Sequence, residues 1–278
     1  MANSAGKAGQ PNEDFAGAVP GAAVLLDGAG IPGTESICSH GVAWYTHRLG
    51  GALLGRLSRD DGRDLTAILA TTIGEIAADH RGTCDITNPS SPQATVVIVR
   101  AHRGRLDHLL LADSFLVLDR VRGGPQVITD EREDTARRIC SAPLEGVPRG
   151  TPEYDRIRDS CIEALRARRN QPGGYWIAKD DPHAAEEAVT GSRPLHDLDS
   201  VALLSNGASR IVSQYGLTDW PGVLELLGAN GPADIIRRVR QAEAGGPDAR
   251  VPDDATVAHC THLPRSEVGE LSQPAASR

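Results

Sequence analysis

The chain has 278 residues, of which 40% are hydrophobic and only 3% aromatic, and its formal net charge is −8 at pH 7. This length suits one large domain or two small ones, and the core must be built mainly from aliphatic side chains. The acidic balance argues against a general nucleic-acid-binding protein, which would present a basic face. It suits a protein that gathers carboxylates around cations, although many proteins are equally acidic.

The two ends of the chain and its cysteines set further bounds. Residues 1–10 and about 264–278 are small and polar without periodicity, which predicts disordered tails on either side of a single domain at 11–263. The N-terminus has no apolar signal-peptide core and no stretch approaches 18 apolar residues, so we expect neither secretion nor a membrane span. Five cysteines without a C-x-x-C pair predict reduced thiols in a cytoplasmic protein.

The first half of the chain predicts strands and two amphipathic helices. Apolar residues at i, i+3, i+4 and i+7 predict a helix from Asp64 to about Asp79. Shorter apolar runs, joined by glycine turns at Gly104 and at 123–124, predict buried strands and hairpins. In chain order, we expect extended segments at 14–19, 22–26, 95–100, 106–112, 115–119 and 126–129, with another helix at about 42–57.

The second half is richer in helix. Helices are predicted at about 130–140, 152–169, 220–227 and 232–243, and strands at 175–177, 201–204 and 256–260. Strands that come early, in the middle and late, with helices bunched between them, predict packed sheets flanked by helices.

Four acidic positions lie at the ends of predicted strands. Asp27 and Asp113 end apolar runs, whereas Asp14 and the pair Asp253–Asp254 precede them. A carboxylate at the end of a buried strand must be solvated, paired or bound to a cation. Each aspartate alone is readily explained by a turn, but four together favour a site for a hard cation such as Mg²⁺ or Mn²⁺.

These aspartates belong to six short segments that follow one another in a recognisable order. The segments are Asn12-Glu13-Asp14, Asp27-Gly28-Ala29-Gly30, Ala94-Thr95-Val96, Ala112-Asp113-Ser114, Leu203-Leu204-Ser205-Asn206-Gly207 and Asp253-Asp254-Ala255-Thr256. Together they resemble the signature of the bacterial PPM (type-2C) metal-dependent protein phosphatases, in which they read roughly N-[QE]-D, D-G-x-G-G, [GA]-T, G-D-S, L-x-S-D-G and D-[DN]-x-T. Each motif alone is weak, but six in this order over residues 11–262 are specific.

The resemblance implies a fold and a metal centre. The fold would be α+β, a four-layer αββα sandwich of two antiparallel sheets flanked by helices, with two or three Mg²⁺ or Mn²⁺ ions at one end. Asp27 would bridge two ions and Asp14 would hold metal-bound water, which makes these two the catalytic residues. The full set of residues that would hold the ions is Asp14, Asp27, Gly28, Asp113, Asn206 and Asp253.

The chain departs from the family pattern at three places. Asn206 stands where the family has an aspartate, and the lost charge should weaken the second metal site. Gly9 stands where an arginine usually grips the substrate phosphate, and the nearby Lys7 could serve there only as a point charge. The loop that starts at Asp27-Gly28 lacks the second glycine of the family pair and continues to Pro32, so we expect it to take another path.

Three functions remain open from the sequence. The first is a Mg²⁺- or Mn²⁺-dependent phosphatase that hydrolyses phosphoserine and phosphothreonine in proteins through a metal-bridging water. The missing arginine motivates a second, a phosphatase for a small phosphorylated metabolite. Asn206 motivates a third, a catalytically impaired pseudophosphatase that binds or regulates a partner. We expect neither nucleic acid nor membrane as a partner, and the sequence leaves the oligomeric state open.

Two further segments contain candidate zinc ligands, Cys38-x-His40 and His259-Cys260-x-His262. Neither segment has the paired C-x-x-C spacing of structural zinc sites. Cys260 ends a predicted strand and is expected in the core. The sequence alone therefore argues against a zinc site.

Overall fold

The computed structural model describes residues 1–6, 9–30, 36–245 and 252–263. Its strands are β1 (Ala2–Ser4), β2 (Phe15–Val19), β3 (Ala22–Leu26), β4 (Gly28–Ala29), β5 (Gln93–Ala94), β6 (Val96–His102), β7 (Arg105–Leu111), β8 (Phe115–Arg120), β9 (Gln126–Ile128), β10 (Val189–Pro194), β11 (Leu198–Leu204) and β12 (Ala255–Cys260). Its α-helices are α1 (Gly41–Leu57), α2 (Leu65–His80), α3 (Arg132–Ser141), α4 (Pro152–Arg166), α5 (Asn206–Ser213), α6 (Trp220–Asn230) and α7 (Pro232–Gly245).

Ten of these strands form two antiparallel sheets. The first sheet has the order β1-β12-β11-β8-β9 and the second has the order β10-β7-β6-β3-β2. The short strands β4 and β5 pair with each other beside them. The first strand of the chain thus pairs with the last, with Ala2 opposite Val257.

The alternation of side chains along each strand builds the layers. In β3, Val24 and Leu26 pack against α1 and α2, whereas Ala23 and Leu25 face the other sheet. Successive residues of a strand point to opposite faces, so a strand that is apolar throughout must be covered on both sides. Each fully buried leucine contributes about 1.5–3 kcal/mol to stability.

The opposite face of the first sheet is covered by a third apolar cluster. Residues of α5, α6 and α7 pack there against β8, β11 and β12, with Ile211, Val223 and Val239 fully buried. Helices therefore lie outside both sheets, and the predicted four-layer αββα sandwich is confirmed. None of the helices in the described ranges is long and apolar enough to span a membrane.

Most predicted elements are present, with boundaries that differ by a few residues. The helix predicted at Asp64 begins at Leu65, because the Asp64 carboxylate accepts a hydrogen bond from the N–H of Thr66 at 2.6 Å and so acts as its N-cap. The turn at Gly104 joins β6 to β7, and both Arg103 and Gly104 have positive φ there, as a two-residue hairpin with a type I′ turn requires.

The structure also differs from the sequence predictions. The predicted N-terminal tail at 1–10 contains β1 over Ala2–Ser4. These residues form a strand because their backbone pairs with β12, and their short sequence shows no strand pattern. The predicted strand at 175–177 is a buried irregular segment, with isolated bridges at Tyr175 and at Ala178. Helix α5 and strand β10 were not predicted. The predicted C-terminal tail at 264–278 lies outside the described residues.

Candidate metal centre

The candidate metal centre is organised around Asp27, which follows β3. The N–H of Asp27 donates to Thr95 Oγ1 at 3.2 Å, and its carbonyl accepts from the N–H of Thr95 at 2.9 Å. Its carboxylate oxygen Oδ2 accepts from the backbone N–H of Asn206 at 2.7 Å. The aspartate is therefore fixed by both sheets, because Thr95 precedes β6 and Asn206 follows β11.

Gly28 allows two segments to come together. A Cβ atom at this position would overlap the carbonyl of Glu13 and crowd a Val42 side-chain methyl group. Only glycine leaves space for the chain before β2 to pass this close to Asp27. This contact explains in physical terms why Asp-Gly follows β3.

Asp113 lies in the tight turn between β7 and β8. Ala112, just before it, has φ of +67°, a left-handed conformation that is uncommon for a residue with a side chain. Such outliers concentrate at functional sites, where the surrounding structure holds them in place. The Ser114 hydroxyl lies 2.6 Å from Thr95 Oγ1, which connects this turn to the segment that holds Asp27.

Asn206 is the first residue of α5. While its backbone N–H holds Asp27, its side-chain Nδ2 donates to Asp113 Oδ2 at 2.9 Å. One residue therefore connects two of the acidic side chains. An aspartate here would place a second negative charge against Asp113 instead of a donor.

The two adjacent aspartates before β12 have different roles. Asp254 accepts hydrogen bonds from the backbone N–H groups of Gly6 at 2.7 Å and Glu13 at 2.5 Å. Each of its two carboxylate oxygens is therefore used to hold the N-terminal segment. Asp253 lines the cleft and forms an ion pair with Arg210 at 2.5 Å. The structure therefore places Asp253, rather than its neighbour, on the side of Asp27.

Asp14 is buried with both carboxylate oxygens lacking a hydrogen-bond partner among the described residues. Burial raises the pKa of Asp14 to about 7. The hydroxyl groups of Thr256 and Ser205 oppose this shift, but neither meets the carboxylate in normal hydrogen-bond geometry. A buried carboxylate without donors is costly unless it is protonated or meets a cation.

The remaining acidic side chains repel one another. Burial raises the pKa of Asp27 well above its usual value, and the negative charges of Asp14, Asp253 and Asp113 raise it further. Burial also raises the pKa of Asp113, while the guanidinium of Arg137 lowers it. A group of oxygen donors that destabilise one another when ionised fits the binding of hard divalent cations.

The acidic group opens into a cleft of about 780 Å³. Among the residues that line it are Asp27, Asp113 and Asp253, together with Gly28 and Asn206. Five of the six residues predicted for the metal centre therefore face one cleft. The sixth, Asp14, lies buried close enough to raise the pKa of Asp27.

Four charged side chains of the cleft were not predicted from the sequence: Glu133, Asp134, Arg137 and Arg210. Burial, followed by the charge of Asp113, raises the pKa of Glu133 to about 7. Arg137 donates to Glu133 Oε1 at 2.6 Å. All four lie on α3 and α5, and no sequence signal indicates that these helices border the site.

Comparisons with known proteins give a consistent result for the fold. No family model matches the sequence, and no curated protein is significantly similar to it. Among solved structures, the serine/threonine phosphatase PstP/Ppp of Mycobacterium tuberculosis aligns over 94% of this chain and 96% of its own, with a TM-score of 0.57 and 20% identity. Stp1 of Staphylococcus aureus aligns over 93% and 92%, with a TM-score of 0.56 and 16% identity.

The chain has the PPM phosphatase fold. A structure of the PstP catalytic domain, which aligns over 94% of this chain and 95% of its own with a TM-score of 0.54 and 20% identity, is described as a complex with two manganese ions. At this level of identity the likeness concerns the fold.

Two departures from the PPM signature fall at the edges of the described chain. Gly9, at the position of the family arginine, is exposed with φ of +79°, and a Cβ atom there would meet no other atom within 4 Å. Lys7 and Pro32 lie outside the described residues. Within the described part of the PPM fold, the arginines that reach the cleft come from α3 and α5 instead.

Proposed function

We propose that this protein is a Mn²⁺- or Mg²⁺-dependent phosphatase that hydrolyses phosphoserine and phosphothreonine in proteins. The observation that carries the proposal is the convergence of four aspartates, Asp14, Asp27, Asp113 and Asp253, on one open cleft. Asp14 is buried without a donor, and Asp27 has the Asn206 N–H but lies beside three other carboxylates, which makes a pair of cations the natural counter-charge. The fold shared with bacterial serine/threonine phosphatases supports the same reaction.

The proposed metal ligands are Asp14, Asp27, the Gly28 carbonyl, Asp113, Asn206 and Asp253. When bound, a pair of divalent cations lowers the pKa of a water molecule and neutralises charge on the phosphoryl oxygens. Asp27 and Asp14 are the proposed catalytic residues. Asp27 is fixed through Thr95 and Asn206, so its carboxylate needs no rearrangement to receive cations.

We propose Arg137 as the group that binds the substrate phosphate. Its side chain is 56% exposed and lines the cleft, so it can turn from Glu133 towards a phosphate dianion. Arg210 also lines the cleft but is only 15% exposed and pairs with both Asp253 and Glu243. A guanidinium offers the paired donors that match phosphate oxygens.

The Asn206–Asp113 hydrogen bond favours a second candidate, an impaired phosphatase that serves as a binding or regulatory module. Asp113 is satisfied here by an amide donor, so it has less need of a cation. This candidate retains the cleft and the acidic group but lacks efficient turnover.

The five cysteines are all unpaired, which fits the cytoplasmic location that we expect.

The deciding experiment measures phosphate release from an aryl phosphate, phosphopeptides and a panel of small phosphorylated metabolites, with and without Mn²⁺. We expect metal-dependent turnover of phosphopeptides above that of the metabolites. Turnover of metabolites alone would replace the protein substrate with a small one. Asp27→Asn should remove activity, whereas the exposed Asp155→Asn on α4 is the matched control.

Absence of turnover in the wild type would support the impaired candidate only if a cation still binds. Calorimetry with Mn²⁺ provides that measurement. A wild-type chain that neither binds Mn²⁺ nor hydrolyses any substrate contradicts both candidates.

A further inference from the structure

Four sulfur and nitrogen ligands meet away from the acidic cleft. They are Cys38, His40, His80 and Cys84, and their ligand atoms all lie within 4.8 Å of one another. His80 and Cys84 complete the half-site that the sequence suggested at Cys38-x-His40. The other sequence candidate, at His259-Cys260-x-His262, does not form such a cluster within the described ranges.

The distances fit the edges of a tetrahedron. The two sulfur atoms of Cys38 and Cys84 are 3.5 Å apart, and Cys84 Sγ is 3.3 Å from His40 Nδ1. Cys38 Sγ is 3.9 Å from Nδ1 of both His40 and His80. Around a tetrahedral zinc ion, with Zn–S of about 2.3 Å and Zn–N of about 2.0–2.1 Å, neighbouring ligand atoms are roughly 3.4–3.8 Å apart. Four of the six edges therefore lie within about 0.1 Å of this range, and the other two are no longer than 4.8 Å, so shifts of at most about 1 Å would complete the site.

The backbone brings the two pairs together. His40 is the residue just before α1, and His80 is the last residue of α2. The N–H of Cys84 donates to the His80 carbonyl at 3.1 Å, which closes the turn that returns the thiol to the imidazole. The N–H of Asp85 donates to the Ile37 carbonyl at 2.9 Å, so the two ligand segments are joined directly.

Aromatic contacts orient the imidazole rings. The Trp44 ring stacks on His40 with centroids 4.3 Å apart and lies 4.8 Å from the ring of His80. Tyr45 meets His80 edge to face at 6.2 Å, and its hydroxyl donates to the Lys179 carbonyl at 2.9 Å. Rings held in this way lose little freedom when they bind a metal, which favours binding.

We propose that Cys38, His40, His80 and Cys84 bind one structural zinc ion. Two thiolates and two imidazoles form a complete tetrahedral set, which favours zinc over the hard cations expected at the carboxylates. Cys38 and His80 are 4% and 3% exposed, so the site is closed on that side and leaves no position for a substrate. The ion would join the start of α1 to the end of α2, and its binding would release the two thiol protons.

The first test is the metal content of the full-length chain. We expect about one zinc ion per chain by mass spectrometry of the metals, from protein purified without a metal-affinity column. Replacement by Co²⁺ should give the visible absorption of a tetrahedral thiolate complex. Cys84→Ser should lower zinc affinity by more than about tenfold. Cys161→Ser is the matched control, since Cys161 is another half-buried thiol but lies on α4, outside the cluster.

Zinc bound adventitiously at the acidic cleft is distinguished by Asp27→Asn, which should keep both the zinc and the Co²⁺ spectrum. If Cys84→Ser fails to fold, chemical labelling of the wild type replaces it. Cys38 and Cys84 should then react with a thiol reagent only after a chelator is added.

Three outcomes would overturn the proposal. One is folded wild-type protein that binds neither zinc nor Co²⁺ at this cluster. Another is Cys84→Ser retaining the same zinc affinity as Cys161→Ser. The third is a mass lower by two hydrogen atoms under non-reducing conditions, with both thiols blocked, which would identify a Cys38–Cys84 disulfide in place of the metal site.

Discussion

The acidic cleft and the Cys/His cluster are two candidate metal sites built on opposite principles. The cleft gathers oxygen donors from five separate places along the chain, between residues 14 and 253, and opens into about 780 Å³ of accessible space. The Cys/His cluster takes sulfur and nitrogen donors from two short segments and is closed by Trp44 and Tyr45. An open site of hard donors allows exchangeable cations and a substrate, whereas a closed site of soft donors holds one ion permanently.

The largest effect is expected from Asp27→Asn, which breaks the cleft while leaving the cluster intact. The amide oxygen can still accept a hydrogen bond from the Asn206 N–H, so the fold should persist. The negative charge of Asp27, which lies next to three other carboxylates, is lost. We expect Mn²⁺-dependent hydrolysis to fall by at least about a hundredfold. Calorimetry should show weaker Mn²⁺ binding, and retained occupancy of two ions would refute the role of Asp27.

Arg137→Ala tests whether the open side of the cleft receives phosphate. Loss of a charge-assisted hydrogen bond worth about 1.5–3 kcal/mol should raise the KM for a phosphopeptide roughly tenfold to a hundredfold. The change in kcat should be smaller if ground-state binding is lost. Arg138→Ala is the control, because Arg138 lies on the same helix but its side chain donates to Thr135 Oγ1 at 3.2 Å instead of lining the cleft. Equal effects of the two variants would remove Arg137 from the substrate site.

Asn206→Asp tests whether Asn206 is a metal ligand, because it places a carboxylate at the start of α5. Without metal, the new charge replaces the donor to Asp113 and should lower the thermal stability. With Mn²⁺, it should raise metal affinity by about tenfold and increase turnover. Asn206→Ala separates the two effects, since it removes the hydrogen bond without adding charge. Unchanged Mn²⁺ affinity in Asn206→Asp would show that this residue is not a ligand.

The pH dependence of stability gives the most specific effect, because it concerns a single buried carboxyl group. Between about pH 4 and about pH 7, folded Asp14 keeps a proton that the unfolded chain has lost. The free energy of unfolding of the metal-free protein should therefore fall as the pH rises, by up to about 4 kcal/mol from this group. Chemical denaturation at several pH values, compared with Asp14→Asn, isolates this contribution. Saturating Mn²⁺ should abolish the decrease, and stability that rises with pH in the difference between the two proteins contradicts the prediction.

The sequence predicted the cleft better than the cluster because of where the ligands lie. Asp27 and Asp113 follow apolar strands, so the end of a strand locates each carboxylate at an edge of its sheet. His80 instead ends an amphipathic helix, where the helix dipole already favours a basic residue. Its presence there therefore gives no indication of a metal ligand. Its proximity to Cys38 depends on how α1 packs against α2, which periodicity does not give.

The side chains that enter the cleft from helices also could not be predicted from the sequence. Helix α5 is only eight residues long and begins Asn206-Gly207, which reads as a turn. Gly207 is required because a Cβ atom would overlap the carbonyl of Asp254, a contact between residues far apart in the chain. The long side chains of Arg137 and Arg210 could have pointed to solvent, and only the tertiary structure directs them to the cleft.

The pairing of β1 with β12 has a consequence for synthesis on the ribosome. Asp254 holds the N–H groups of Gly6 and Glu13, so the segment that leads to Asp14 is secured by a residue made 248 and 241 positions after its two partners. The nascent chain can form its hairpins early, but its acidic cleft needs residues 253 and 254 before it is complete. We expect a chain that ends before residue 252 to bind Mn²⁺ at least about tenfold more weakly, even if it still binds zinc. The acidic cleft would thus stay incomplete until β12 and the two aspartates before it have left the ribosome.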